Sequence, residues 1–274
     1  MPEGDTIFRA ARTLHRALAG RRVTRFESAF PRLTRVHEDT PLVGRTIESI
    51  DSHGKHLLFA FSGNLVLHTH LRMNGGWHLY RPNERWRRPS RDMRVLIATE
   101  DAIAVGFSIP VAEFLTARDL ARHEQLQALG PDLAAERFDR AEALTRLRTR
   151  PDCPVADALL DQRVMAGIGN VFKSEVLFIA GVNPFVRIAD LTERAIGGVL
   201  DVARHQLRAN ASERPRGAWV GRRRTTTNSL NPAHSLWVYG RGGRPCRRCG
   251  ATILSRKTGV DRRVTYWCPS CQPI

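Results

Sequence analysis

The chain has 274 residues, of which 42% are hydrophobic and 26% charged, and this composition excludes a disordered or collagen-like protein. Lysine and arginine number 43 against 27 acidic residues, and the formal net charge of +16 indicates a polyanionic partner. The length allows one to three domains. No stretch resembles a membrane span or a secretory signal, so we expect a cytoplasmic protein.

The first half of the chain predicts one helix followed by a β-rich domain. Residues 4–19 carry apolar side chains at helical spacing and end at Gly20, which predicts an amphipathic helix. Short β-like runs separated by turn residues follow from Arg22 to Phe107 and predict a β-sandwich. The polar and basic segment 82–92 is predicted to be an exposed loop.

The second half predicts a helical domain and a cysteine-rich tail. After the LGPDL segment, apolar stripes predict helices over 138–148, 155–165, 169–180 and 190–209. Residues 211–235 have no periodicity and include three consecutive arginines, so this basic loop is either functional or mobile. The predicted domains are residues 1–125, 130–236 and 237–274.

Four of the five cysteines form two Cys-x-x-Cys pairs near the C-terminus: Cys246, Cys249, Cys268 and Cys271. In a reducing compartment this spacing favours a metal over disulfides, and four thiolates provide a closed tetrahedral site for one structural zinc ion. The segment between the pairs alternates like a β-hairpin. The metal either only staples this small module or also presents its basic residues to nucleic acid. Cys153 is expected to be an inert thiol.

Two further motifs have both a structural and a functional interpretation. Pro2 can simply begin a helix, but removal of Met1 would expose its secondary amine. An α-amino group titrates near ~8, so part of it is neutral and nucleophilic at pH 7. The Gly-Ile-Gly-Asn segment at 167–170 leads into a helix N-terminus, which suits a phosphate but is also common in plain helical bundles.

These features, together with HGKHLL at 53–58, HTHLRMNG at 68–75 and the YWCPSCQ ending, resemble the bacterial formamidopyrimidine-DNA glycosylase and endonuclease VIII family. The resemblance spans the whole chain. It is closer to the endonuclease VIII branch, because the Arg-x-Phe-Gly element of the other branch is absent from residues 104–114. The implied fold class is α+β, with an N-terminal helix and β-sandwich, a helix-two-turn-helix domain and a C-terminal β-hairpin zinc finger.

The resemblance implies a bifunctional DNA glycosylase and apurinic or apyrimidinic (AP) site lyase of base excision repair. It would remove oxidised bases, pyrimidines preferred, through a Schiff base on Pro2, and then cut the strand by β,δ-elimination, with Glu3 as the general acid. The residues implied for catalysis are Pro2, Glu3, Lys55 and Arg263. The residues implied for DNA binding are His70, Arg72, Met73, Asn74, Asn170 and Lys173.

Within that set, Lys55, His70, Asn170 and Arg263 would contact phosphates, and the Arg72-Met73-Asn74 segment would fill the void left by an extruded base. Two positions depart from the family pattern: Thr6 replaces a second glutamate, and Asn74 stands where an aromatic residue is common. The expected partner is damaged DNA and the expected state is a monomer. The alternatives are an AP lyase only, a catalytically reduced zinc-containing DNA-binding protein of the same fold, and an RNA- or ribosome-associated basic protein.

Overall fold

The computed structural model describes residues 2–212, 224–227, 229, 231–259 and 261–274. These residues divide into two compact units, Met1–Ala128 and Leu129–Ile274. The helices of the first unit are α1 (Gly4–Leu18), α2 (Pro31–Asp39), α3 (Ala117–Arg122) and α4 (Glu124–Gln127). Its strands are β1 (Arg25–Ser28), β2 (Ile47–His53), β3 (His56–Phe61), β4 (Leu65–His70), β5 (Gly76–Tyr80), β6 (Met93–Ala98), β7 (Ile103–Phe107) and β8 (Val111–Thr116).

The strands of the first unit form two antiparallel sheets, in the orders β1-β6-β7-β5 and β2-β3-β4-β8. Alternate side chains of both sheets point into one apolar core, which is completed by the buried face of α1. Leu14 on α1, Phe59 on β3 and Ile97 on β6 are each fully buried in this core. The predicted N-terminal helix and β-sandwich are therefore confirmed.

The described part of the second unit contains four α-helices and a C-terminal hairpin. The helices are α5 (Arg140–Arg148), α6 (Val155–Leu160), α7 (Asn170–Ala180) and α8 (Glu193–Ala211), and the hairpin strands are β9 (Leu254–Thr258) and β10 (Arg263–Trp267). Helix α7 is central, because it packs against α6, α8 and β10 and is buried from Asn170 to Phe178. No helix among the described residues is both long and apolar enough to cross a membrane.

Hydrogen bonds join the cysteine-rich tail to the helices of the second unit. The buried Gln272 side chain donates to the Val182 carbonyl at 2.7 Å and accepts from the Cys268 amide at 3.0 Å. The Asn183 side chain donates to the Gln272 carbonyl at 2.9 Å. The tail and the helices thus share one unit, and the boundary between 130–236 and 237–274 stays a prediction.

Two predicted elements differ from the structure. The helix expected over 155–165 ends at Leu160, because the next residue, Asp161, has extended backbone and its carboxylate pairs with Arg150 and Arg163. The loop 82–92 is not fully exposed. The half-buried Trp86 packs 5.6 Å from the Phe107 ring, centroid to centroid, so this loop is anchored to the sheet.

Candidate active site, nucleic-acid contacts and metal centre

The N-terminal residues predicted for catalysis stand at the start of α1. Glu3 immediately precedes the helix, and its carbonyl oxygen accepts hydrogen bonds from the amides of Thr6 and Ile7 at 2.9 and 3.1 Å. Glu3 is fully buried, whereas Pro2 is half-buried. Met1 lies outside the described residues. The first turn of α1 therefore fixes the backbone that carries the predicted nucleophile and acid.

Lys55 lies in the tight turn that joins β2 to β3. The two strands pair as far as His53 and His56, and Gly54 in the turn has a φ of +59°, a conformation that favours glycine. Lys55 is half-buried, and its charge helps to lower the pKa of His70. The turn thus places a cationic amine close to a second predicted phosphate ligand.

His70 is the last residue of β4 and has a defined hydrogen-bonding polarity. Its Nδ1 accepts the backbone amide of Arg72 at 3.1 Å. Burial, assisted by the charges of Arg72 and Lys55, lowers the pKa of His70 to about 4, so the ring is neutral at pH 7. A neutral imidazole that accepts at Nδ1 carries its proton on Nε2. His70 therefore offers one N–H donor, as a phosphate oxygen requires.

The Arg72-Met73-Asn74 segment forms an exposed turn after β4. The Gly75 amide closes this turn by donating to the Leu71 carbonyl at 3.0 Å. A Cβ at Gly75 would lie 2.6 Å from the Leu71 oxygen, so the turn accepts only glycine there. Met73 is 61% exposed, which is unusual for a large apolar residue. An apolar side chain on a rigid exposed turn suits insertion between bases.

In the second unit, Gln162 shapes the turn that precedes α7. Its side-chain oxygen accepts the Gly167 amide at 3.1 Å, and its nitrogen donates to the Ile168 carbonyl at 2.9 Å. Gly167 has a φ of +110°, which a residue with a side chain rarely adopts. Helix α7 begins directly afterwards at Asn170, so the turn leads into a helix N-terminus with its amides and positive dipole.

Asn170 and Arg263 are brought together where α7 packs on the hairpin. The Asn170 side-chain nitrogen donates to the Val264 carbonyl at 3.0 Å, and Arg263 precedes Val264 at the start of β10. The Arg263 guanidinium lies 3.1 Å from the Asp261 carboxylate, and both side chains are partly exposed. Among the described residues, the buried Asn170 Oδ1 has no hydrogen-bond partner. Asn170 is therefore hydrogen-bonded to the residue that follows Arg263, at the contact between α7 and the hairpin.

The predicted DNA contact of Lys173 is not supported by its position. Lys173 is fully buried on α7, and its Nζ donates to the Thr265 hydroxyl on β10 at 2.7 Å. The Thr265 hydroxyl is also hydrogen-bonded to Thr258 on β9 at 2.7 Å. Lys173 thus joins the helix to the hairpin. Charge alone does not reveal this burial, and the assignment of Lys173 to DNA binding stays a prediction.

Glu175 is a structural anchor to which the sequence analysis gave no role. The buried carboxylate accepts the backbone amides of Trp237, Val238 and Tyr239 at 2.7 to 2.8 Å, and it also pairs with the Thr226 hydroxyl. Burial raises the pKa of Glu175, although these donors oppose the shift. The contact holds the segment before the first cysteine pair against α7. The sequence signal that could have identified Glu175 is its fixed position in the Gly-Ile-Gly-Asn segment's helix, five residues after Asn170.

The four paired cysteines form a compact cluster. Their sulfur atoms all lie within 4.8 Å of one another, and none is in a disulfide. The sulfur atoms of Cys246 and Cys271 are 3.9 Å apart, and those of Cys249 and Cys268 are 3.4 Å apart. Tetrahedral zinc with Zn–S bonds of ~2.3 Å places its sulfur ligands at about this separation. The cluster therefore fits the predicted ion, and Cys153 lies apart from it as a free thiol.

The predicted basic loop falls mostly outside the described residues. Residues 213–223, 228 and 230 are among those not described, and they include Arg222 and Arg223. Arg224 is described, and its guanidinium lies 4.7 Å from the centroid of the Phe172 ring. The assignment of these arginines to DNA binding stays a prediction.

Three segments of the chain match known domain families. Residues 1–110 match the formamidopyrimidine-DNA glycosylase N-terminal domain. Residues 129–214 match the formamidopyrimidine-DNA glycosylase H2TH domain, the helix-two-turn-helix module. Residues 243–274 match a zinc finger found in formamidopyrimidine-DNA glycosylase and isoleucyl-tRNA synthetase.

The chain is also similar over its whole length to named bacterial proteins. It is 41% identical to a probable endonuclease 8 2 of Streptomyces coelicolor, covering 99% of this chain and 94% of that protein. It is 39% identical to a DNA-(apurinic or apyrimidinic site) lyase of Mycolicibacterium smegmatis and 34% identical to endonuclease 8 of Escherichia coli, with at least 99% of each chain covered.

A solved structure has the same architecture. The formamidopyrimidine-DNA glycosylase of Lactococcus lactis, solved in complex with DNA that contains an abasic site, superimposes with a TM-score of 0.81. The two chains are 25% identical, and the alignment covers all of both.

Proposed function

Because the chain belongs to the formamidopyrimidine-DNA glycosylase and endonuclease 8 family of DNA glycosylases and AP lyases, we propose that it excises oxidised bases, pyrimidines preferred, and then cleaves the strand. The observation that carries the proposal is the Pro2-Glu3 pair directly before the buried start of α1. Its substrate is damaged DNA, and we expect it to act as a cytoplasmic monomer.

Pro2 is the nucleophile of the proposed reaction. After removal of Met1, the Pro2 nitrogen attacks C1′ of the damaged nucleotide, and the base departs with the electron pair of its glycosidic bond. Opening of the sugar ring gives an iminium ion, the only imine species that a secondary amine can form. This cation withdraws electrons from C1′, so the C2′ proton is lost easily and the 3′ phosphate is expelled. A second elimination expels the 5′ phosphate.

Glu3 moves the protons that these steps require. Its carboxyl group donates a proton to the sugar ring oxygen as the C1′–O4′ bond breaks, and it then shuttles protons during elimination. Glu3 is fully buried at the start of α1. The amides of Thr6 and Ile7 hold the Glu3 backbone through its carbonyl oxygen. Glu3 directly follows Pro2 in the sequence, so the acid and the nucleophile are on neighbouring residues.

Both units supply phosphate contacts in this proposal. Lys55 and the Nε2–H of His70 bind the backbone from the first unit. Asn170, at the N-terminus of α7, and Arg263, on the hairpin, bind it from the second. Together with the net charge of +16, these contacts give a binding energy that depends mainly on the DNA backbone.

The exposed Arg72-Met73-Asn74 turn fills the gap that base extrusion leaves. Because the turn has no aromatic residue, we expect weak wedging and a preference for bases that already stack poorly. Saturated pyrimidines such as dihydrouracil and thymine glycol meet this condition. The zinc ion supports the hairpin that carries Arg263 and takes no part in the reaction.

Covalent trapping on abasic-site DNA tests the proposed chemistry. Borohydride reduces an iminium to a stable amine, so incubation with an excess of abasic-site DNA should convert most of the protein to a DNA-linked species. A matched variant with Met1 retained, for instance through Pro2→Gln, should give none. A protein that binds abasic DNA without being trapped would instead favour a catalytically reduced DNA-binding protein.

An AP lyase that lacks glycosylase activity is the second candidate. The name of the Mycolicibacterium smegmatis relative records only lyase activity, and Thr6 replaces an acid that many family members have. This candidate predicts cleavage of preformed abasic sites with no release of oxidised bases.

A further inference from the structure

A row of polar side chains crosses one face of the β2-β3-β4-β8 sheet. In the strand register His56 lies opposite His70, and His68 lies opposite Glu113. His68 and His70 are two residues apart on β4 and therefore share a face. Four neighbouring polar side chains thus occupy the sheet surface beside the Lys55 turn, although the sequence analysis gave a role only to His70.

Continuous hydrogen bonds connect this row to α4. His56 Nδ1 lies 2.8 Å from His68 Nε2, and His68 Nδ1 lies 2.8 Å from Glu113 Oε1. The same carboxylate oxygen lies 3.1 Å from Nε2 of His123, the residue that caps α4. We call these four residues, His56, His68, Glu113 and His123, the histidine chain.

The polarity of the histidine chain follows from its contacts at the His123 end. At one end His123 Nδ1 accepts the Leu126 amide at 3.3 Å, so its proton is on Nε2 and is donated to Glu113. The Glu113 carboxylate can only accept, so His68 must donate from Nδ1. The lone pair of His68 Nε2 then accepts from His56 Nδ1. Burial lowers the pKa of His56 to about 3 and also lowers that of His68, which keeps both rings neutral.

This polarity argues against a metal ion at the same place. His68, Glu113 and His123 offer ligand atoms within 4.8 Å of one another, as a metal site would. A metal needs the lone pair of each coordinating nitrogen, but here both rings direct N–H groups at the carboxylate. The two donors already satisfy the Glu113 oxygen, so the cluster is complete as a hydrogen-bonded unit.

The histidine chain ends directly behind the predicted phosphate ligands. His56 follows Lys55 in sequence, and its ring packs edge-on against His70 with centroids 4.7 Å apart. A cavity of about 250 Å³ adjoins this point and is lined by His56, His68, His70 and Arg72, among others. The orientation of the His56 ring therefore bears on both the Lys55 turn and the His70 ring.

We propose that the histidine chain holds Lys55 and His70 in the geometry that binds a DNA phosphate, so that His56, His68 and Glu113 are positioning residues. The inference rests on the proposed function, because it assigns a DNA phosphate to Lys55 and His70. The histidine chain transmits order from α4 through β8 and β4 to the β2–β3 turn, and the proposed reaction assigns no bond-breaking step to its members.

Nuclear magnetic resonance of ¹⁵N-histidine-labelled protein without DNA tests the histidine chain itself. The hydrogen bonds of the histidine chain require the Nδ1–H form at both His56 and His68, whereas free histidine favours the Nε2–H form. Glu113→Gln should return His68 at least partly to the Nε2–H form, since a neutral amide oxygen accepts the two N–H groups more weakly than the carboxylate oxygen that they share. Nε2–H forms at His56 and His68 in the wild type would overturn the inference whatever the DNA results show.

Binding to a duplex with a tetrahydrofuran abasic-site analogue tests the positioning role. Glu113→Gln and His56→Leu should each weaken binding about tenfold, while the single-turnover lyase rate at a saturating protein concentration stays within about threefold. His56→Asn should bind within about threefold of the wild type, because its amide nitrogen replaces the Nδ1–H donor. Wild-type melting behaviour would exclude a general loss of fold.

The charge-matched control is Asp51→Asn, on the exposed edge of β2. Loss of a negative charge alone reduces repulsion of DNA, so Asp51→Asn should bind equally or slightly more tightly. Weaker binding by Glu113→Gln would therefore be opposite in sign to the simple charge effect and would support the positioning role. If the wild type cleaves abasic DNA but Glu113→Gln binds as tightly, the positioning role is overturned while the proposed function stands.

Discussion

Pro2 and Glu3 act at different bonds, so their substitutions should separate the two activities. Glu3→Gln keeps the size of the side chain and the helix start but removes the acid. Base excision should fall by about 100-fold or more, as expected for loss of a general acid, whereas cleavage of preformed abasic sites should persist at a reduced rate, because there only the elimination protons depend on Glu3. Release of free base and strand nicking, measured on paired substrates, check this. Glu48→Gln, on the exposed surface of β2, is the control, and unchanged base excision by Glu3→Gln would reject the assignment.

The buried histidines predict how stability depends on pH. Burial lowers the pKa of His56 to about 3 and that of His70 to about 4, from an ordinary value of 6.5. Between pH 6.5 and 4 the unfolded chain therefore binds protons that the folded chain does not, and the free energy of unfolding should fall as the pH drops through this window. Urea unfolding at a series of pH values measures the slope. His56→Asn should make it shallower, and a flat profile would contradict the burial of these rings.

At the level of elements, the fold of the hairpin should depend on its metal, whereas metal binding should not depend on Arg263. Because four thiolates hold the hairpin, chelation should unfold it and abolish DNA binding. Arg263→Ala should retain one zinc per chain by elemental analysis but weaken DNA binding by ~1–3 kcal/mol, as expected for loss of a charged hydrogen bond. A metal-free protein with full activity would refute the structural role of zinc.

Elements with a strong local signal were predicted well. Helix α1 ends next to Gly20 as expected, and the cysteine spacing identified the β9–β10 hairpin. Helix α2 was missed because Leu33 is its only buried residue, so its sequence has no clear apolar stripe. Strand β8 was missed because its side chains are mostly half-buried, which weakens the alternation that predicts a strand.

In the candidate site, too, only features that local sequence patterns encode could be predicted. The cysteine cluster follows from the spacing of two Cys-x-x-Cys pairs and was expected, whereas the exposure of Met73 was not predicted from the local sequence. The histidine chain depends on the register of three strands and on the placement of α4, which no local pattern encodes. The burial of Lys173 likewise depends on how α7 packs against β10.

At the level of the whole molecule, the expected DNA contacts are divided between the two units. The first carries Lys55 and His70, and the second carries Asn170 and Arg263. If the two cationic groups, Lys55 and Arg263, neutralise phosphates, affinity should fall as salt increases, and the logarithmic slope should decrease by about one for Arg263→Ala. Titrations at several salt concentrations measure the slope, and an unchanged slope would remove Arg263 from the phosphate contacts.

Lesion preference is also a property of the whole molecule, because it combines extrusion with void filling. The chain lacks an Arg-x-Phe-Gly element and has a wedge without an aromatic residue. It should therefore excise dihydrouracil and thymine glycol faster than 8-oxoguanine opposite cytosine, which stacks well in the duplex. Single-turnover assays on matched oligonucleotides decide this. Faster removal of 8-oxoguanine would contradict the predicted pyrimidine preference and indicate the specificity of the formamidopyrimidine branch.

The central claim is that the Pro2 nitrogen forms the covalent intermediate, and peptide mapping of the borohydride-trapped complex tests it most directly. After nuclease and protease digestion, tandem mass spectrometry should place the residual sugar on the N-terminal peptide, on Pro2, with Met1 absent. The three lysine side chains, at 55, 173 and 257, should be unmodified. A sugar adduct on a lysine, or trapping by protein that still carries Met1, would contradict the account.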